Sequence, residues 1–423
     1  MKIFHTADLH IGMKFNNYPE SVQSELKQAR GSVLGKMVSI ANKQECNIFV
    51  VAGDLFDSIN GNSKKTIGDV VTALKGFHGE CVLVLPGNHD YDNNMVELWK
   101  NFQELSQDIH NIVLINQERP YSLADYDLNA VVYPAPCHSK HSDVNNIRWI
   151  KDEIIKETKS NAKAGSENAE AKTDEDADAT KYAGPNIDKN QIRIGISHGA
   201  LEGISPDLDS SYYNMSLAEL VGAPVDVWLL GHTHITYPDK KKVTGWKIFN
   251  PGTPEPDGLD CKHTGNAWII TIDDTKAGNS DIKALNSDTK AAGANHKEVS
   301  GELITTGSYR FKDQRHIVRN KADFEKIMGD LLKDDPRNTI ARLRIKGKLD
   351  EETFNYRNEV RQKLDESLAC LIFDDSEVGI KITSEMIHKE FSDGSFPSML
   401  LTALKDDEEA LQLAYEMIME VRR

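Results

Sequence analysis

This 423-residue chain lacks long apolar runs: no stretch approaches the roughly 20 residues that a membrane span needs. Cysteine is scarce and scattered. Cys46, Cys81, Cys137, Cys261 and Cys370 are odd in number and form no C-x-x-C pair, so neither a disulfide framework nor a thiolate zinc site is expected. Such usage suits a reducing cytoplasm. The N-terminus enters a strand-like run within a few residues, so no signal peptide is expected. A GxxxxGKS or GxxxxGKT loop is missing, and any ATP dependence would have to come from a partner. No internal repeat is visible. Basic excess is missing as well: the net charge of −16 argues against a generic nucleic-acid coat protein, though not against an enzyme that meets DNA locally. The length fits two or three domains with at least one large core, and 39% apolar residues fit a globular chain.

What is present is concentrated in five places, where strand-like apolar runs end in metal-type ligands. Lys2-Ile3-Phe4 leads into His5-Thr6-Ala7-Asp8-Leu9-His10. Ile48 to Ala52 ends at Gly53-Asp54, and Val82 to Leu85 at Pro86-Gly87-Asn88-His89-Asp90. Ile192 to Ile196 ends at Ser197-His198-Gly199, and Val225 to Leu230 at Gly231-His232-Thr233-His234. Asp8 and His10 lie two apart in an extended segment and can face one side. Asp54 can bridge two ions through its two oxygens, and Asn88 offers a neutral oxygen. Carboxylate and amide oxygens mixed with imidazole suit Mn²⁺, Mg²⁺, Fe or Zn²⁺. The seven ligands Asp8, His10, Asp54, Asn88, His198, His232 and His234 are too many for one ion with an open position. They suit two ions roughly 3.5–4 Å apart, an arrangement used for in-line attack at phosphorus.

Strand-like and helix-like runs alternate through residues 1–150, which implies a layered α/β core. Ser21 to Gln44, Ile67 to Leu74 and Met95 to Leu105 have helical spacing. Leu128 to Tyr133 reads as a strand stopped by Pro134 and Pro136, and Ala267 to Ile272 as the last core strand. Residues 156–190 hold almost no large apolar residue and read as a disordered surface insertion, with a solvent-facing helical arm as the alternative. Residues 275–300 read as a polar loop or linker. From 301 to 423 a separate small domain is expected. Its strand-like runs are Tyr309 to Val318, Thr339 to Ile345, Cys370 to Phe373 and Val378 to Ile382. Helices are expected over Ala322 to Leu332, Glu351 to Leu368, Ser398 to Leu404 and Asp407 to Val421. The last of these carries Leu411, Leu413, Ala414, Met417, Ile418 and Val421, an apolar surface that either packs on its own domain or receives a partner.

The ordered motifs HTADLHIG, VAGDLFD, LPGNHD, SHG and GHTH, followed by NPGTPEP, resemble the calcineurin-like metallophosphoesterase superfamily. In detail they are similar to the SbcD-type DNA-repair exonuclease subunits. The motifs cover residues 1–272, and the tail fits only loosely, as a cap. The resemblance implies an α/β/β/α sandwich at 1–274 with a smaller α+β capping and partner-binding domain at 301–423. It puts Asp8, His10, Asp54 and His234 on one metal, and Asp54, Asn88, His198 and His232 on a second, with Mn²⁺ as the expected ion. It makes His89 the catalytic histidine, protonating the leaving oxygen or steadying the phosphate, and Asp57 the carboxylate that orients it. A plain turn or helix cap is the alternative for Asp57. The implied activity is a DNA exo- and endonuclease in double-strand-break repair, with DNA and an SbcC-type coiled-coil ATPase as partners; homodimerisation stays open. A phosphoesterase for cyclic nucleotides or other small esters is the alternative, because the same core serves both. Residues 301–350 carry 12 Lys and Arg against 8 Asp and Glu. Arg310, Lys312, Arg315, Arg342, Arg344 and Lys346 are thus either phosphate contacts or the solvated face of a sheet. His5 is expected behind the site, and His138 and His141 sit in a Pro-rich loop that can face a substrate.

Overall fold

The computed structural model describes residues 1–156, 191–207, 211–274 and 297–422. The insertion expected at 156–190 and most of the stretch at 275–300 lie outside the described residues. The first region runs through strands Lys2–Thr6 (β1), Ile48–Ala52 (β2), Cys81–Leu85 (β3), Ile112–Leu114 (β4), Tyr121–Ser122 (β5), Ala130–Ala135 (β6), Ile192–His198 (β7) and Val227–Gly231 (β8). It continues with Lys242–Thr244 (β9), Ile248–Phe249 (β10), Asn266–Asp274 (β11) and Lys297–Thr305 (β12). Helices Glu20–Lys43 (α1), Lys64–Lys75 (α2), Glu97–Ser106 (α3) and Leu217–Gly222 (α4) are interspersed.

Two sheets result, in the orders β4-β3-β2-β1-β11-β12-β9 and β10-β8-β7-β6-β5. Strand alternation explains how they stack. Phe4, Phe49, Val51, Val82 and Val84 point to one face and pack with Val33, Leu34, Met37, Val71 and Phe102 of the helices. Ile3, Val50, Leu83 and Ile270 point the other way and meet Val132, Ile194, Ile196 and Leu229 of the second sheet. The outer face of that sheet, with Val131, Tyr133 and Trp228, is covered by Ile147, Ile150, Ile154 and Leu220. The fold is therefore an α/β/β/α sandwich. Strands β2 and β3 are buried on both faces, which is why they read as continuous apolar runs.

Three details differ from the sequence expectation. β6 runs through Pro134 to Ala135. Its neighbour β5 pairs only with Val131 and Val132, so beyond that point β6 has one hydrogen-bonding partner and tolerates a residue without an N–H. Second, β11 is not the last core strand: β12 pairs antiparallel with it from Asn266↔Thr305 to Asp274↔Lys297. The two compact units divide between Arg310 and Phe311. Third, Cys370–Ile380 (β15) is one strand. It pairs in parallel with Thr339–Leu349 (β14), and a register shift between Arg344 and Lys346 takes up the polar stretch that reads as a break.

The second unit, taken alone, joins Arg310–Ile317 (β13) to β14 and β15 in a three-stranded sheet. Lys321–Leu332 (α5) and Glu351–Ser367 (α6) supply Phe324, Ile327, Val360 and Leu364 to its core. Ser384–Glu390 (α7), Phe396–Ala403 (α8) and Glu408–Arg422 (α9) form a separate small cluster around Ile387, Phe391, Leu401 and Leu411. On α9, Ala414 and Ile418 pack inward, while Leu413, Met417 and Val421 are exposed. No helix among the described residues is long and apolar enough to cross a membrane.

Candidate metal centre

Strands β1, β2 and β3 run parallel, as do β6, β7 and β8. Ligands at their carboxyl ends therefore gather at one end of the sandwich, where open α/β sheets place their sites. The backbone there is unusual. Asp8, His10, Asp54 and His232 have φ of 56°, 46°, 50° and 91°, the left-handed region that non-glycine residues avoid. Cross-links hold them there. Asp8 N–H donates to Gly53 O (3.1 Å), His10 N–H to Asp54 O (2.9 Å) and His232 N–H to the Asp8 carboxylate (3.0 Å).

The seven expected ligands converge. His10 Nε2 and His234 Nε2 lie 3.2 Å apart. Asp8 Oδ1 is 3.7 Å from His234 Nε2, and Asp54 Oδ2 is 3.6 Å from His10 Nε2 and 3.3 Å from His198 Nε2. Asn88 Oδ1 is 2.9 Å from both His198 Nε2 and His232 Nδ1. Asp8, His10 and His234, and Asp8, Asp54 and His198, are grouped closely enough to hold an ion.

Each of these imidazoles also has an outer oxygen. His198 Nδ1 donates to Ala52 O at 2.9 Å. Asp257 Oδ2 lies 2.7 Å from His234 Nδ1, Asp207 Oδ2 3.0 Å from His232 Nε2, and Asp57 Oδ1 3.5 Å from His10 Nδ1. The acceptors on His198, His232 and His234 fix those tautomers and turn the remaining ring nitrogens inward as lone pairs, while His10 Nδ1 makes no hydrogen bond. Lone pairs facing one another and an amide oxygen at about 3 Å repel unless a proton or cation lies among them. The donor set thus fits divalent cations.

Charge within the cluster is strongly coupled. Burial opposes a charge on His198, but Asp54 beside it lifts its pKa to about 9. Burial likewise opposes His234, which the hydrogen bond to Asp257 and the charge of Asp8 lift to about 9. Burial works against ionised Asp54, yet His198 and His10 hold it well below the usual carboxylate range. His10 itself is pushed down by burial, against Asp57 and Asp54.

His89 lies at the edge of the cluster. Its main-chain N–H donates to Asp54 Oδ1 (2.8 Å), and its ring is 4.7 Å from that of His10. Asp57 meets His89 through its main chain. His89 Nδ1 meets the Asp57 main-chain carbonyl at 3.0 Å, while the Asp57 carboxylate faces His10. His5 is buried behind the site, donating Nε2–H to Leu230 O at 3.1 Å, and burial drops its pKa to about 3. The His141 ring lies 4.9 Å from that of Tyr212, which is itself 5.1 Å from His232.

Sequence reasoning missed Asp207, Asp257 and Asp90. Asp90 accepts Phe56 N–H (3.0 Å) and Gly87 N–H (2.7 Å), tying the β2 and β3 loops together; burial and the charge of Asp54 raise its pKa to about 7. Asp257 directly follows the NPGTPEP motif, which was the available signal. His263, which had no visible constellation, contacts His234 O at 3.1 Å.

Gly53 shows how tightly the cage is packed. At φ 90°, a Cβ there would lie 2.0 Å from His198 Nδ1. Gly53→Ala is expected to cost roughly 2–5 kcal/mol through left-handed strain and overpacking. Urea denaturation of the metal-free protein reads this, and an unchanged midpoint would contradict the packing argument.

A two-sheet sandwich with a mixed imidazole and carboxylate cage at its strand ends is the frame of a metal-dependent hydrolase. The calcineurin-like phosphoesterase family model matches residues 1–236, and the chain belongs to that family. It is accordingly a metal-dependent phosphoesterase.

Proposed function

We propose that this phosphoesterase is a two-cation phosphodiesterase that cuts DNA, as an exo- and endonuclease in double-strand-break repair beside an SbcC-type coiled-coil ATPase. The observation that carries the two-cation reading is the position of Asp54. Its Oδ2 is 3.6 Å from His10 Nε2 in one donor group and 3.3 Å from His198 Nε2 in the other. Asp8, His10, Asp54 and His234 would hold one ion, and Asp54, Asn88, His198 and His232 the other. The donors suit Mn²⁺ first, with Mg²⁺, Fe or Zn²⁺ as alternatives. Bound cations there would supply Lewis acidity toward a phosphoryl oxygen and a water of lowered pKa.

The chain's own contribution centres on His89. Its Nδ1–H is engaged by Asp57 O, so a proton is exchanged at Nε2, where the ring can deliver it to the leaving oxygen. DNA as substrate is supported by the motif detail and by the basic excess of residues 301–350. Exposed Leu413, Met417 and Val421 on α9 support a protein partner such as the ATPase. Cysteine usage supports a cytoplasmic setting.

One observation favours the second reading, a small phosphate ester as substrate. Asp313 binds both Arg344 at 2.8 Å and Arg342 at 2.6 Å, which engages two of the six basic residues singled out and offsets one of their two charges. Turnover of duplex DNA, bis(4-nitrophenyl) phosphate and 4-nitrophenyl phosphate separates the readings. We expect cleavage of DNA and the diester with little monoester hydrolysis. Preferential monoester turnover without DNA cleavage would reverse the order of the two readings.

A further inference from the structure

We propose that Arg30 is a positioning residue for one half of the metal centre, holding the segments of Asp8, His10 and His234 at the spacing that lets those three side chains share a cation. The proposal rests on the two-cation reading above. Arg30 lies on α1, outside every motif that marks the site, and is 1% exposed. Its guanidinium grips two main-chain oxygens: Nη1 donates to Leu9 O and Nη2 to Glu255 O, both at 2.6 Å. Its Nε has no hydrogen-bond partner.

Burying a cation that leaves a donor unmatched carries a desolvation cost, which the two carbonyls and the charges of Asp257, Glu255 and Asp57 offset. The two bonds that Arg30 does make bear directly on the site. Leu9 separates Asp8 from His10, and both neighbours are in the left-handed region. Holding the carbonyl between them fixes the peptide planes that aim the two side chains. Glu255 lies two residues before Asp257, the carboxylate 2.7 Å from His234 Nδ1. The Thr253 hydroxyl bridges the same two segments, 2.9 Å from Asp8 O and 2.8 Å from Glu255 O. Arg30 thus ties the loop after β1 to the loop that orients His234. The imidazoles of the other donor group are oriented elsewhere, His198 by Ala52 O and His232 by Asp207, and only the His232 main-chain N–H meets Asp8.

Selectivity between the two ions is therefore the signature of this role. The test titrates Mn²⁺ into the metal-free full chain by calorimetry and by electron paramagnetic resonance, for wild type, Arg30→Met, Arg30→Lys and Asp257→Asn. Wild type is expected to take two ions with an exchange-coupled signal. Arg30→Met is expected to keep one ion at wild-type affinity and to bind the other roughly 10–100-fold more weakly, the range for lost outer-sphere support. An isolated six-line signal would then replace the coupled one. Arg30→Lys, whose single ammonium head lacks the guanidinium fork, should recover part of the loss, and Asp257→Asn should reproduce it. Two sites of wild-type affinity in Arg30→Met would overturn the proposal. If Arg30→Met fails to fold, two wild-type sites in both Arg30→Lys and Asp257→Asn would overturn it. Fewer than two ions in wild type would instead overturn the two-cation reading.

Discussion

His89→Ala protein is expected to bind two divalent cations with near wild-type affinity and to lose phosphodiester turnover by about 10²–10⁴-fold, the usual worth of a positioned general acid. The first half of that result follows from which His89 atoms touch the cage. Its contact with Asp54 is made by the main-chain N–H, which alanine retains. The second half follows from the ring, which is tethered at Nδ1 by Asp57 O and has Nε2 left for the substrate. A ligand role is the rival: His10, Asp54 and His89 are close enough together to hold an ion themselves. Calorimetric counting of Mn²⁺ separates the two. A ligand role removes a cation from His89→Ala, whereas an acid role leaves both. Leaving-group dependence gives a second check. A 4-nitrophenolate needs little protonation, so the deficit should shrink on bis(4-nitrophenyl) phosphate relative to DNA. An equal deficit on both substrates would move His89 from proton donor to phosphate binder.

The strand ends were legible in the sequence because two separate physical demands coincide there. Apolar runs buried on both faces stand out from their surroundings, and they stop abruptly at Gly53, Gly87 and Gly231 beside polar donors. The α/β/β/α layering followed from the resemblance, and alternation along β1 to β3 and β6 to β8 accounts for it. What the sequence did not show is what lies one contact behind the ligands. Arg30, Asp207 and Asp257 act across 21 to 225 positions of chain, and such pairings leave no local periodicity. The Asp57 case is similar. Its spacing from Asp54 is visible, but whether its carboxylate or its carbonyl meets His89 depends on the path of the loop after β2. β12 was hard to read for another reason: it carries Lys, Glu and Ser beside few apolar residues, because only part of it faces the core.

Asp54→Asn is expected to have the larger effect of any single ligand change, because one carboxylate serves two structural roles. Oδ2 faces both donor groups, and Oδ1 accepts the His89 N–H. Asparagine keeps the shape and one oxygen but removes the negative charge that would offset two dications. We expect the variant to bind at most one Mn²⁺ and to lose more activity than the roughly 10–100-fold that an outer-sphere partner is worth. Folding in the metal-free state is expected to weaken as well. Burial works against ionised Asp54, but His198 and His10 outweigh it and hold the carboxylate well below its usual range, so a neutral isostere removes a net favourable charge. The measurements are Mn²⁺ stoichiometry, turnover and a urea midpoint without metal, with Asp257→Asn as the internal comparison. If Asp54→Asn still took up two ions, with losses no larger than those of Asp257→Asn, the cations would not share Asp54. The two donor groups would then have to be read as independent sites.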